Sequence, residues 1–275
     1  MKIIINLKRT EVLLIIILIM YLVSAEIYPF IGFYNLGIIG VIMGFIPLIF
    51  IIIHGVLRYG GKNMIIFFII TFIISWTTET LSILTGFPFG NYYYTDVLGP
   101  KLWLVPLLIM PAYFMTGYLA WTISSTFLGS FGKGIEKKNL FIIPFIAGFI
   151  MTMWDFCFDP IRANVDHAWV WEDGGNYWGV PISNYFGWYL TVYLIYQVYA
   201  LYLYKFQENE EIGEKKLFWV LPTIAYLGLS LEFLIEPFFQ TVNLDIYWSM
   251  FLTSIFTMVF TAVLNLIIVQ KTKIN

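Results

Sequence analysis

The chain has 275 residues, of which 60% are hydrophobic, 20% aromatic and only 12% charged, with a formal net charge of −2. Soluble domains carry about 25% charged residues, so this balance excludes an ordinary soluble domain and predicts an integral membrane protein with no nucleic-acid partner. The single cysteine, Cys157, excludes an internal disulfide, and two histidines far apart in sequence, His54 and His167, make no metal-ligand cluster.

A membrane-spanning helix needs about 20 apolar residues. Eight runs qualify, at roughly 12–28, 36–57, 64–85, 102–127, 139–157, 184–204, 217–236 and 247–269. The fold class is therefore an all-α polytopic membrane protein of about eight helices, forming one integral domain over 1–275. The first run also resembles a signal peptide. It has a basic start, an apolar stretch from Val12, and Val23-Ser24-Ala25 as a cleavage site. Cleavage would leave Glu26 and Pro29 at the start of a seven-span chain; the expectation is a retained first helix.

The third run closes on Glu79, and the segment TGFPFGNYYYTDVLGPKLWLVP follows from Thr85. The fifth run, KKNLFIIPFIAGFIMTMWDFCFDP from Lys137, ends in acid, three residues, acid, proline. The seventh, KKLFWVLPTIAYLGLSLEFLIEP from Lys215, ends the same way. Asp155 and Asp159 thus map onto Glu232 and Glu236 at one constant offset, a candidate internal repeat of helix pairs. Residues four apart share a helix face, so each acid pair can point into the bundle. Pro160 and Pro237 are expected to end their helices, because the residue before proline disfavours the helical region. The second long segment, from Asp159 to Trp188, is dense in glycine, proline and aromatics like the first. Both are expected to fold back as lids, at about 86–101 and 158–183.

The charges sort by side. Thirteen of the fifteen basic residues fall in the loops that share a side with the two termini; only Lys101 and Arg162 fall opposite. The positive-inside rule then predicts a multi-pass cell-membrane protein with both termini cytoplasmic. Eleven of the seventeen carboxylates lie on the other side, and five of them are within or at the ends of apolar helices. A carboxylate at the centre of a spanning helix costs roughly 2.5–3.5 kcal/mol on insertion scales. Glu79, Asp155, Asp159, Glu232 and Glu236 are therefore the candidate functional acids. Asp96, Asp166, Glu172, Asp173 and Asp245 read as solvated loop residues, and Cys157 as a small core residue. His167 is a candidate hydrogen-bond partner for a carboxylate; His54 receives no role.

The stretch TETLSILTGFPFGNYYYTDVLGPKLWLVPLLIMPAYF resembles the CruF-type carotenoid 1,2-hydratases, including the bisanhydrobacterioruberin hydratases of archaea. So does WDFCFDPIRANVDHAWVWEDGGNYWGVPISNYFGW. The shared pattern runs through Glu79, Gly86 to Tyr92, Trp154 to Pro160, Trp169 and Trp171, Tyr177 to Pro181, and Asn184 to Trp188. The motif blocks cover 76–115 and 150–190. The resemblance implies addition of water across a terminal isoprenoid double bond, with an acyclic carotenoid or other polyprenyl substrate held in the bilayer. It does not assign catalytic residues or an oligomeric state.

The residues fit that chemistry. An alkene is a poor base, so its protonation needs a strong, positioned acid and yields a tertiary carbocation. A carboxylic acid in an apolar site can hold its proton near neutrality. A second carboxylate offers a base for water, and aromatic faces can stabilise the cation. Asp155 or Glu232 is the expected proton donor, with Asp159, Glu236 or Glu79 orienting or deprotonating the water. Trp76, Tyr92, Tyr94, Trp154, Asn184 and Trp188 are the candidate substrate-binding residues. The activity would be that of a hydro-lyase working by acid/base catalysis without a cofactor or metal: there is no glycine-rich phosphate turn and no metal-ligand spacing. A lycopene-cyclase-like enzyme would share the protonation but quench the cation with a second double bond. A cation- or proton-coupled transporter would share the intramembrane acids and the repeat. A prenyltransferase would need cations to meet a diphosphate, and Lys101 and Arg162 are the only basic residues on that side.

Overall fold

The structure, a computed structural model, describes the backbone of residues 8–31 and 37–274, with side chains over 8–24 and 45–274. Among these residues the chain forms helices α1 (Arg9–Ile31), α2 (Gly37–Tyr59), α3 (Gly61–Thr85), α4 (Ile109–Phe127), α5 (Ile142–Asn164), α6 (Ile182–Phe206) and α7 (Lys216–Ile235). The last rod is α8 (Leu244–Ser254) joined to α9 (Phe260–Lys271) through a π turn at Ile255–Val259. Eight rods therefore stand where eight runs were expected. Four stretches are long and apolar enough to cross a membrane: Gly61–Thr85, Lys137–Asn164, Lys216–Phe238 and Leu244–Lys271. These tie the chain to a membrane. The candidate cleavage site at Val23-Ser24-Ala25 falls within α1, and the side chains of Ala25, Glu26 and Pro29 lie outside the described residues.

The centre of the bundle is α5, packed against α4, α6 and α8; α1 packs against α2 and α7, and α3 against α4 and α6. Two expectations about helix ends are corrected. The fourth helix starts at Ile109 rather than near 102, because 101–106 form a two-rung hairpin of β2 (Lys101–Leu102) and β3 (Val105–Pro106). Trp103 takes a left-handed φ of 58° in its turn, and Pro106 has no N–H for a helix. The fifth helix runs straight through Pro160 to Asn164. Proline leaves the carbonyl four residues earlier without its helical donor. Here that carbonyl, Phe156 O, accepts from the Tyr177 hydroxyl at 3.2 Å, so the helix need not stop. The same device operates in α7. Pro222 deprives Phe218 O, and His54 Nε2 donates to it at 3.0 Å. Pro237, by contrast, does mark the end of α7, where the chain tightens into a 3₁₀ turn at Glu236–Phe238.

The two long segments meet over one end of the bundle. Strand β1 (Tyr92–Tyr94) pairs antiparallel with β4 (Trp169–Trp171), setting Tyr92 opposite Trp171 and Tyr94 opposite Trp169. Alternation along a strand turns Tyr92 and Tyr94 inward and leaves Tyr93 exposed. The turn before β1 is pinned on both sides. Gly86, left-handed at φ 75°, caps α3 with its N–H on Ser82 O. Ser82 Oγ accepts from Phe89 N at 3.0 Å and donates to Gly90 O at 3.1 Å, and Ser183 Oγ donates to Phe89 O at 2.8 Å. Gly187 lets α6 come this close: a Cβ there would lie 2.7 Å from Pro88 O.

Candidate active site

Under this roof is a cavity of about 190 Å³. The last turns of α3 and α5 and the first turns of α4 and α6 supply its walls, and β1 and β4 close it. Its lining is largely aromatic. Trp188 stacks on Tyr113 at 4.4 Å with the rings 5° apart, and Trp154 stacks on Phe158 at 4.2 Å. Such packing needs few polar groups, so the carboxylates that remain stand out.

Glu79 is one of them, buried at 3% exposure. Its Oε2 accepts from the hydroxyls of Tyr92 and Tyr94, the latter at 2.8 Å, and its Oε1 accepts from Tyr113 at 2.8 Å. Two of these phenols come from the roof strand and one from α4. Burial, reinforced by the neighbouring Glu79, pushes the Tyr92 and Tyr94 phenols well above their ordinary pKa, which keeps them protonated as donors.

Asp159 is the second. Its Oδ1 accepts from the indole N–H groups of Trp169 at 2.7 Å and Trp171 at 3.2 Å, and its Oδ2 accepts from Asn184 Nδ2 at 2.6 Å. The same amide nitrogen donates to Asp155 Oδ2 at 3.0 Å. Asn184 on α6 therefore ties the two aspartates together. Both are buried at 1% exposure, but only Asp159 lines the cavity; Asp155 sits one turn behind it.

Glu232 and Glu236 stand apart from this group. Glu232 pairs with the guanidinium of Arg162, which also pairs with Asp166. Glu236 is buried, and its Oε2 has no hydrogen-bond partner among the described residues. The two ends of the candidate repeat thus have different surroundings. The Asp pair meets neutral donors at the cavity, whereas Glu232, on the Glu pair, meets a cation beside it. Of the candidate binding residues, Tyr92, Tyr94, Trp154, Asn184 and Trp188 line the cavity. Trp76 does not: its indole N–H donates to Leu102 O at 3.2 Å and props the hairpin. The ring of His167 makes no hydrogen bond to a carboxylate among the described residues; its carbonyl accepts from Thr95 at 2.8 Å.

Sequence reasoning passed over Tyr113, Phe158, Arg162 and Asp166, all of which line the cavity. Asp166 is corrected from a solvated loop residue to an ion-paired one. The signal for it was present. Asp155, Asp159 and Arg162 are spaced four and three apart on one stripe of α5, and Asp166, in the turn just past Asn164, continues the spacing. Ending the helix at Pro160 hid that stripe. Tyr113 carried a weaker signal, its place in the first turns of a helix antiparallel to the one that ends beyond Glu79.

A family model described as carotenoid biosynthesis protein matches residues 13–264. No curated protein and no solved structure matches the chain.

Proposed function

Because the chain belongs to the carotenoid biosynthesis protein family and so has a role in making carotenoids, we propose that it adds water across a terminal double bond of an acyclic carotenoid. The observation that supports this most is the setting of its acids. Glu79 and Asp159 open into an aromatic cavity, and every hydrogen bond they receive there comes from an uncharged phenol, indole or amide. Arg162, the only basic residue in the lining among the described residues, is already engaged by Asp166 and Glu232. Such a site suits a hydrocarbon and a cationic intermediate better than a diphosphate.

In this scheme Asp159 and Asp155, joined by Asn184, hold one proton between them. The Asp159 O–H bond breaks as a C–H bond forms at the less substituted alkene carbon, and the π pair leaves a tertiary cation. The faces of Trp154 and Trp188 stabilise that cation. Water adds its oxygen lone pair to the cation while Glu79 takes the proton that water loses. The proton returns from Glu79 to Asp159 before the next turnover, so the sum is alkene plus water giving a tertiary alcohol. Of the two donors expected from sequence, Asp155 becomes the partner of the donor in this scheme, because it stands behind the wall, and Glu232, paired with Arg162, takes no step. That thirteen of the fifteen basic residues fall, by sequence, in the loops on the side of the termini supports cytoplasmic termini and a reading in which all eight rods cross the cell membrane.

The test is expression in cells that accumulate an acyclic carotenoid, with the pigments analysed by liquid chromatography–mass spectrometry. The expected product is heavier by one water and is lost in Asp159→Asn. A product of unchanged mass and shifted retention would replace hydration with cyclisation.

A further inference from the structure

A cavity of about 190 Å³ is smaller than the roughly 300–1,000 Å³ that surrounds a drug-sized ligand and only somewhat larger than the roughly 150 Å³ that takes benzene. It has room for the end of a prenyl chain, and the rest of a long polyene would have to leave through the mouth. Most of the wall is buried. Apart from Trp171 and Trp188, the half-buried lining residues fall into two groups. One is purely aliphatic: Leu98, Leu108, Ile109 and Ala112, at the start of α4 and in the loop before it. The other is Phe158, Arg162 and Asp166, along the end of α5. The Arg162 guanidinium lies 4.7 Å over the Phe158 ring while it pairs with Asp166.

The surroundings of the two edges differ in the same way. Next to the aliphatic edge, Leu102, Trp103 and Leu107 are exposed. The other edge leads to the exposed His167 and to the Glu232 ion pair. A hydrocarbon laid across an ion pair would strip it of water without offering a hydrogen bond in return. A water molecule needs two to four polar partners to rest in a cavity, and the aliphatic edge has none on its side chains.

We infer that the mouth is divided by chemistry: the polyene crosses the Leu98–Leu108–Ile109–Ala112 edge, and water enters past Arg162 and Asp166. Ala112, the smallest side chain of the aliphatic edge, sets its width. The water half of this inference rests on the hydratase reading; the chain half needs only an acyclic isoprenoid substrate.

The purified full-length protein in detergent can be titrated with an acyclic carotenoid, whose visible absorption quenches the fluorescence of the tryptophans around the cavity. Ala112→Leu and Leu108→Phe are expected to weaken binding by about tenfold or more, equivalent to about 1.4 kcal/mol, and melting curves would show that they fold. If one variant does not fold, the other, at a different turn of the edge, carries the test. Asp166→Asn is expected to lower kcat with little change in the KM for carotenoid. Wild-type binding in both aliphatic-edge variants would overturn the chain's route. An Asp166→Asn variant that raised KM and left kcat unchanged would overturn the water's route. A wild-type protein that binds carotenoid saturably but forms no hydrated product would instead sink the hydratase reading and leave the chain's route standing.

Discussion

Glu79 shows what a single side chain can and cannot disclose in sequence. An acid near the end of an apolar helix is conspicuous on its own, and its exposure cost points to use. Its three phenol donors are not conspicuous, because two lie on a strand that forms only by pairing with a segment some eighty residues away, and Tyr113 lies on a different helix. The geometry allows a clean test. Tyr113→Phe removes one hydrogen bond to Glu79 but keeps the ring stacked on Trp188. A hydrogen bond to a charged group contributes about 1.5–3 kcal/mol, so turnover is expected to fall by about tenfold or more with the cavity intact, measured as hydrated product per unit of membrane protein. Glu79→Gln should cost more, about 10²–10⁴-fold, the usual contribution of a positioned acid or base. If Glu79→Gln kept full turnover, Glu79 would be a structural anchor for the roof and the base would have to be sought elsewhere.

At the scale of the element, helix existence was legible and helix ends were not. The apolar runs located six of the eight rods within about three residues at each end, and missed the start of α4 and the end of α5 by seven. The misreading of α5 came from treating Pro160 as a stop, a local rule overruled by a tertiary contact: the Tyr177 hydroxyl supplies the donor that Phe156 O lacks. Tyr177→Phe should therefore lower the melting temperature, with a stability loss of about 1 kcal/mol, the low end for an acceptor left unpaired, because this one is only part-buried. It should also loosen the turn of α5 that carries Asp159 and Arg162. An unchanged melting curve would mean that α5 tolerates the proline without this cap. The roof turn also depends on a close approach that no side chain could share. Gly187→Ala would place a Cβ 2.7 Å from Pro88 O and 2.7 Å from the Phe89 ring, and backbone cannot yield as a flexible side chain can. The expected cost is about 1–3 kcal/mol, with loss of product as the turn before β1 is displaced. A fully active, fully stable Gly187→Ala protein would show that the turn has room to shift.

Across the whole molecule, the roofed end of α5 is joined by an ion pair to α7, a helix that contributes no residue to the cavity lining among the described residues. The two helices resemble each other in sequence, yet their terminal acids have different partners. The Asp pair of α5 faces neutral donors at the cavity, whereas Glu232 of α7 reaches across to Arg162 of α5. Nothing in either helix taken alone distinguishes these roles, because the difference lies in which neighbours fold beside each. Arg162 is the hinge of that difference: its side chain is 12% exposed, Glu232 is 17% exposed, and the pair joins α5 to α7 directly. Removing one member of a buried pair leaves the other charge uncompensated, which costs about 3–5 kcal/mol when burial is complete. The partial exposure here sets the expectation for Arg162→Met toward the lower end. The double variant Arg162→Met/Glu232→Gln should recover part of that loss, because it leaves no unpaired charge on α7. If the single and double variants melted together, the ion pair would contribute nothing to the junction, and packing between the helices alone would hold the cavity's shape.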